Sequence, residues 1–439
     1  MNVNKFFALA AEKGLEATEV VIVRSTSTEM GVYNSSVENY TMSTTINIYA
    51  RGIYNGQMGF AMSEKDDKTT AQYLISQIKA AATVSESEDL SIIFKGSEKY
   101  RKRNFYNKEL STISEATKLE KLFEIETKLK EASSLITDIE IVAYNEVETD
   151  QRFYNSYGLK LATKQNYYYF HTSVVAKDKE DVKTSYKVFL DNDFNKFDVD
   201  KFVGDATDSV IKKLGGKPTA TKAYPVVFNP RMTGSLLAAY LSSASAERVE
   251  KKTSLFADKL GERVASSKVT VLDAPLTRNI FYRYFDDEGV AKSNKPIIKN
   301  GVLVTFLHNL STATKFGVAP TGHGRNTGGK ISVGISNITL KPGRNDFDTM
   351  IKNIKEGVLI TELMGLHSGL NPTSGDFSLQ ASGFMIRDGV VSEPVNLITV
   401  AGNLIKLFKD VQAVSNENEL LLNSYTTSSI LVKNLNIAG

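Results

Sequence analysis

The sequence predicts an α+β protein, with helices on antiparallel sheet in an N-terminal domain and a β-rich C-terminal domain. Three observations carry this. Two N-terminal stretches are dense in Val, Ile, Thr and Tyr and are punctuated by turn signals. The segments around them repeat apolar residues at helical spacing. From Lys268 onward the chain is mostly strand-like runs and glycine-rich loops.

Residues 3–13 carry Val3, Phe6, Phe7 and Ala10 at i, i+3, i+4 and i+7, which predicts a helix. Glu19–Met62 reads as a meander of about four strands, with turns at "YNSS" and at the Asn-Gly signature "YNGQ". Asp66–Ser85 and Lys118–Ser134 are helical, the first presenting Tyr73, Leu74, Ile78 and Ala81 on one face. Ile136–Val147, Asp150–Tyr157, Leu159–Ala176 and Lys183–Leu190 read as a second meander, and Asp198–Leu214 as a helix. "GGKPTATKAYP" is the clearest linker. It sets a domain 1–215, a linker 216–222 and a domain 223–439. A strand "YPVVFN" follows, then a helix opened by Asn229 as cap and Pro230 at its first position.

Composition excludes several classes. The 439 residues are 41% hydrophobic and 23% charged with a net charge of +3, which offers no basic face for nucleic acid. The basic run Lys99–Arg103 reads as a solvated loop. There is no cysteine, so disulfides, thiolate metal sites and cysteine nucleophiles are absent. No run approaches the roughly 18 apolar residues of a membrane span, and the N-terminal apolar stretch is too short for a signal peptide. A cytoplasmic location without membrane contact is expected.

Chemistry-bearing stretches are few. "GRNTGGKI", Gly324–Ile331, resembles a phosphate loop, but Ile331 replaces the magnesium-binding hydroxyl and a strand follows where a helix is needed. It reads as a loop between strands. "FDDEGV", Phe285–Val290, clusters three acids that alternate in direction on a strand, so it reads as a polar turn rather than a cation site. The four histidines, His171, His308, His323 and His367, show no metal-ligand spacing. A lone loop histidine is usually a hydrogen-bonding group.

Five blocks then follow one another in a recognisable order: Thr253–Pro275, "FDDEGV", Lys299–Gly317, Gly369–Gly389 and Ser428–Gly439, with "NSYG" at Asn155–Gly158 matching further upstream. Together they resemble the TldD/PmbA family, also called modulator of DNA gyrase or peptidase U62. The resemblance implies a strongly bent, mainly antiparallel C-terminal sheet with few helices. It also implies two branches, one with a zinc-binding HExxxH helix and one, PmbA- or TldE-like, without it. Counting back from "TSLF", the motif's positions fall on Leu237, Ala238 and Ser242. None of these can ligate zinc or act as general base, so no metal, cofactor or catalytic residue is expected. Met232, Leu236 and Tyr240 make one packing row on that helix, and Leu237 with Leu241 another.

The resemblance implies a non-catalytic subunit that binds unfolded peptide and takes part in proteolysis with a TldD-like zinc-bearing partner. Whether the chain has any activity of its own stays open. A stand-alone homodimeric peptide-binding protein and a modulator of DNA gyrase acting through protein contact are the alternatives. The expected peptide-lining residues are Gly365, His367, Gly369, Asn371, Gly375 and Asp376, on a loop whose glycines permit close backbone approach.

Overall fold

The computed structural model describes residues 1–86 and 90–439. In its N-terminal half, six antiparallel strands form one curled sheet in the order β3-β2-β1-β4-β5-β6. They are β1 (Ala17–Tyr33), β2 (Ser36–Tyr54), β3 (Gln57–Ser63), β4 (Ile136–Asn155), β5 (Lys160–Asp178) and β6 (Asp181–Asp191). Two-residue turns join the first three. At Asn34–Ser35 and Asn55–Gly56 all four residues have positive φ, as the hairpin geometry requires.

Four helices cover one face of this sheet. Near the start of β1, α1 (Val3–Glu12) and α2 (Thr70–Thr83) pack Phe6, Ala10, Leu74 and Ile78 on Val20, Ile48 and Ala50. At the other end, α3 (Glu115–Ala132) and α4 (Val199–Ile211) pack Leu122, Ile125 and Phe202 on Met30, Tyr144 and Phe170. The expected helices are present within a few residues. The strands differ: each meander has three strands, two of them long, rather than four shorter ones. The half-exposed middle of β1, Arg24–Glu29, lies between two helix pairs and reads as a break although the pairing runs through it.

Because β3 pairs only with Ile48–Tyr54, the outer edge of β2 from Ser36 to Asn47 has no strand beside it among the described residues. Ser36–Thr45 is exposed throughout.

In the C-terminal half, β7 (Lys222–Phe228) leads into α5 (Pro230–Leu241), whose cap Asn229 accepts a hydrogen bond from the Met232 N–H at 2.9 Å. Then come α6 (Ala246–Glu250), β8 (Val271–Asp273), β9 (Lys295–Lys299), β10 (Val302–Leu303) and α7 (Leu310–Lys315). A small hairpin, β11 (Gly324–Asn326) and β12 (Ile331–Val333), precedes β13 (Ile338–Leu340) and α8 (Phe347–Ile351). The remaining elements are β14 (Glu356–Met364), α9 (Leu366–Gly369), β15 (Asp376–Arg387), β16 (Val390–Asn403), α10 (Leu404–Lys409), β17 (Val411–Val414), β18 (Glu419–Leu420), β19 (Tyr425–Thr427) and β20 (Ile430–Ala438).

One six-stranded sheet runs β10-β9-β8-β13-β19-β18, and another β16-β15-β14-β7-β20-β17. The second bends until β16 pairs with the far half of β20, Thr399 opposite Ala438, so five strands close on themselves. Two pairings, β7 with β14 and β13 with β19, are parallel. The main core lies between this sheet and α5, around Val226, Phe228, Leu236, Leu237 and Tyr240. A separate cluster joins the halves: Val21, Phe153 and Leu161 of the first sheet pack on Tyr282, Tyr284 and Phe285.

Candidate functional site

The three positions expected to correspond to the metal motif lie at the C-terminal end of α5. Leu237 is fully buried in the main core, Ala238 packs beside it, and Ser242 ends the helix. There the α-helix passes into a 3₁₀ turn, Ser242–Ala244. The helix is thus not regular through the motif, although none of its three positions offers a ligand. Ser242 Oγ donates to the Ala239 carbonyl at 2.7 Å and accepts from Arg248 Nη1 at 2.7 Å. Arg248 Nη2 donates to the carbonyls of Thr253 and Pro372, each at 3.0 Å.

A zinc site needs at least three protein donors with room for an open position. Here one position is a buried leucine, one an alanine, and the third a hydroxyl engaged by a cation. These residues do not fit a metal ion. Among the described residues no group of three His, Cys, Asp or Glu is set to hold one.

The Arg248 bridge also ties α5 to the glycine-rich loop singled out in the sequence. Gly365 (φ 79°) precedes the short helix α9, on which His367 is exposed. A side chain at Gly369 would meet the Ser378 carbonyl at 2.4 Å. Gly375 (φ 80°) is buried against Leu255. Asn371 Oδ1 accepts from the N–H groups of Thr373 and Ser374 at 2.9 and 3.1 Å. Asp376 Oδ1 accepts from Asn403 Nδ2 at 2.9 Å, and that bond holds its carboxyl below the usual range. The loop is therefore folded on itself, and it exposes His367, Ser368, the stretch Asn371–Ser374 and Asp376.

The acid-rich turn is not a solvated feature. Asp286 and Glu288 are buried between the two halves of the protein. Asp286 accepts from the N–H groups of Glu288, Val290 and Gly324 at 3.0, 2.9 and 2.8 Å. Asp287 accepts from the Asn326 N–H at 2.9 Å and from Arg283 Nη2 at 2.5 Å. Glu288 Oε2 accepts from the Leu310 N–H at 2.8 Å. From the first sheet, Arg51 Nε donates to Glu19 Oε1 at 2.7 Å, while its Nη1 lies 3.7 Å from Glu288 Oε1. Burial raises the carboxyls of Glu19, Asp286 and Glu288, against the pull of Arg51 and Lys292.

Glu19 and Arg51 escaped the sequence reading. The available signal was a charge inside each of two apolar runs, "TEVVIV" and "IYARGIY". The histidines scatter. His323 is buried, with Nε2 3.0 Å from Asp273 Oδ2 and Nδ1 2.8 Å from Thr321 Oγ1. Burial lowers it to about 4, so it is neutral at neutral pH. His171 lies on β5 beside Asn145 at 3.1 Å, and His308 packs on Phe316.

Fold and site together define an α+β chain with a curled N-terminal sheet and a closed C-terminal sheet, and Leu237, Ala238 and Ser242 on α5 offer no metal-ligand set. Residues 18–89 match domain 1, 108–214 the central domain and 221–439 the C-terminal domain of the PmbA/TldA metallopeptidases. The chain belongs to the PmbA/TldD family.

Among curated relatives, the metalloprotease PmbA homolog of Haemophilus influenzae is 28% identical over 65% of this chain and 61% of its own length. The match thus spans about three fifths of that relative. The PmbA homolog of Buchnera aphidicola from Acyrthosiphon pisum is 26% identical over 98% of this chain and 95% of its own. The crystal structure of TldE from Thermococcus kodakarensis superposes with a TM-score of 0.91 and 25% identity over 100% of both chains. A Thermotoga maritima protein, described as a candidate modulator of a DNA gyrase, gives 0.91 and 26% over 99% of both.

Proposed function

We propose that the chain is a metal-free, non-catalytic subunit of a TldD/PmbA-type metalloprotease assembly. In this reading it holds unfolded peptide while a related zinc-bearing subunit cleaves. The observation that carries the proposal is the end of α5: Leu237, Ala238 and Ser242, with Arg248 on the last of them, cannot make a metal centre. Relatives named metalloproteases share the sequence, and a TldE structure shares the whole fold. A scaffold retained without donors is best explained by a contribution to a partner.

Two features support the rest. The loop Gly365–Asp376 meets the α5 end through Arg248 and presents His367 and backbone for an extended peptide. The uncovered edge of β2, Ser36–Asn47, has neither the lysines nor the proline with which proteins blunt a free edge. It therefore suits a second subunit, and a stable pairing would bury well over roughly 1,000 Å².

Mixing tests the proposal. The pure chain should cleave no peptide. Adding a zinc-bearing TldD-like subunit should give cleavage of unfolded peptide that a chelator abolishes, and a complex on size exclusion. If that subunit cleaves equally well alone and no complex forms, the proposal falls.

A further inference from the structure

The proposed function leaves unused the acid-rich turn Phe285–Val290 and the glycine-rich loop Gly324–Ile331. They close on one cavity of about 300 Å³, between the β2–β3 hairpin and the first turn of α7. Its apolar wall includes Met58, Phe60 and Ile331. Its acidic groups are Glu247 and Glu288, and its basic groups are Arg51 and Lys330.

Arg51 belongs to Glu19, since Nε and Nη2 both lie 2.7 Å from Glu19 Oε1. Its Nη1 stands off from Glu288 at 3.7 Å. Lys330 is engaged in an interaction as well. Asp286, behind the wall, is offset by Lys292. Glu288 is only 3% exposed, yet its Oε1 accepts no hydrogen bond among the described residues. Among the described residues, Glu247 receives only Asn309 Nδ2, at 3.3 Å, and Ser311 Oγ, also on the lining, is buried without a partner. Glu247 reaches Asn309 and Glu288 reaches Leu310, so both carboxylates and Ser311 gather around one turn of helix.

An ammonium group has three donors and no acceptor, and a lysine stem is aliphatic. Burial favours the neutral acid at Glu288, and a cation set beside it favours the carboxylate. We propose that this cavity binds a cationic side chain, an ammonium on an aliphatic stem such as a peptide lysine presents. The site lies within one chain, so the inference stands apart from the subunit reading. Ligand binding should also draw the proton from Glu288, whose carboxyl burial holds high.

The test is calorimetric titration of the full chain with three probes: N-acetyl-lysine methylamide, its uncharged counterpart N-acetyl-norleucine methylamide, and n-pentylamine. The lysine probe should bind saturably and the norleucine probe at least about tenfold more weakly. Pentylamine binding as well as the lysine probe would make the ligand a free amine. Pentylamine binding poorly would make it a peptide side chain, and either result supports the pocket. Glu288→Gln should weaken the lysine probe about tenfold. Because Glu288 is buried and its substitution can disturb folding, Glu247→Gln, half-buried on the rim, gives the independent measurement and should weaken binding similarly. Equal affinity for lysine and norleucine probes, no binding of any probe, or unchanged affinity in a folded Glu247→Gln would overturn the inference.

Discussion

Replacing Arg51 by Met should destabilise the fold by about 3–5 kcal/mol near neutral pH, the usual loss when one partner of a buried ion pair is removed. The size follows from what the substitution strands. Arg51 is 6% exposed and Glu19 2%, so the Glu19 carboxylate cannot turn to water. Burial already raises the Glu19 carboxyl, and Arg51 is the main influence pulling it back. Without the guanidinium the carboxyl rises further and is protonated in the folded state. A carboxyl raised on folding stabilises fully below its unfolded pKa and loses that contribution as pH climbs through the folded value. The penalty should therefore shrink on acidification, by about 1.4 kcal/mol per pH unit for one carboxyl. Between about pH 7.5 and about pH 5.5 that returns up to about 3 kcal/mol. Urea unfolding followed by circular dichroism at both pH values measures it. The double variant Glu19→Gln/Arg51→Met, which removes the stranded charge, should recover most of the loss. An Arg51→Met penalty that ignores pH, or a double variant no better than the single one, would refute the reasoning.

Thermal melts of the unaltered chain should show stability falling as pH climbs from about 6.5 to about 8, where Glu288, raised to about 8, still loses its proton, and Glu288→Gln should flatten that fall. At lower pH the losses from Asp286 and Glu288 run against the gain from His323, which is lowered to about 4 and contributes above its unfolded value. Gly375→Val should destabilise by about 1–3 kcal/mol, since φ is 80° and a Cβ would lie 3.2 Å from Leu255. His367→Ala, on the exposed side of the same loop, should change stability by no more than about 0.5 kcal/mol while altering peptide protection. Leu237→Ala should lose about 2–5 kcal/mol in urea unfolding, because its side chain fills the main core.

Local features were legible where one stretch of chain decides its own structure. Asn229 with Pro230 announced α5, Asn55-Gly56 announced a hairpin, and Phe6 with Ala10 announced the face of α1. Strand length was not legible, because what covers β1 changes along it. Val20 and Val21, on opposite faces, are both buried, whereas the middle of the strand is half-exposed. The acid-rich stretch is a turn, as read, but its burial was not legible, because Arg51, Gly324 and Leu310 reach it from distant parts of the chain. The family resemblance pointed to Leu237, Ala238 and Ser242, and nothing in spacing foretold that Arg248 would occupy Ser242 and reach Pro372.

The way the closed C-terminal sheet is threaded sets an order of assembly. Val226 of β7 pairs with Val358 and with Val432, so that sheet waits on segments far apart in sequence. The first sheet is instead built largely from hairpin neighbours, β1 with β2 and β3, and β4 with β5 and β6. Local pairings form faster than distant ones. The Glu19–Arg51 pair, which joins adjacent strands, is thus made while both residues still face water. Docking of the turn at Asp286–Glu288 comes later and is the step that dehydrates it. Mutations that slow this late docking would lengthen the life of an intermediate with a finished N-terminal sheet, a bare edge at Ser36–Asn47 and an unsheltered ion pair. Such an intermediate is prone to edge-to-edge self-association.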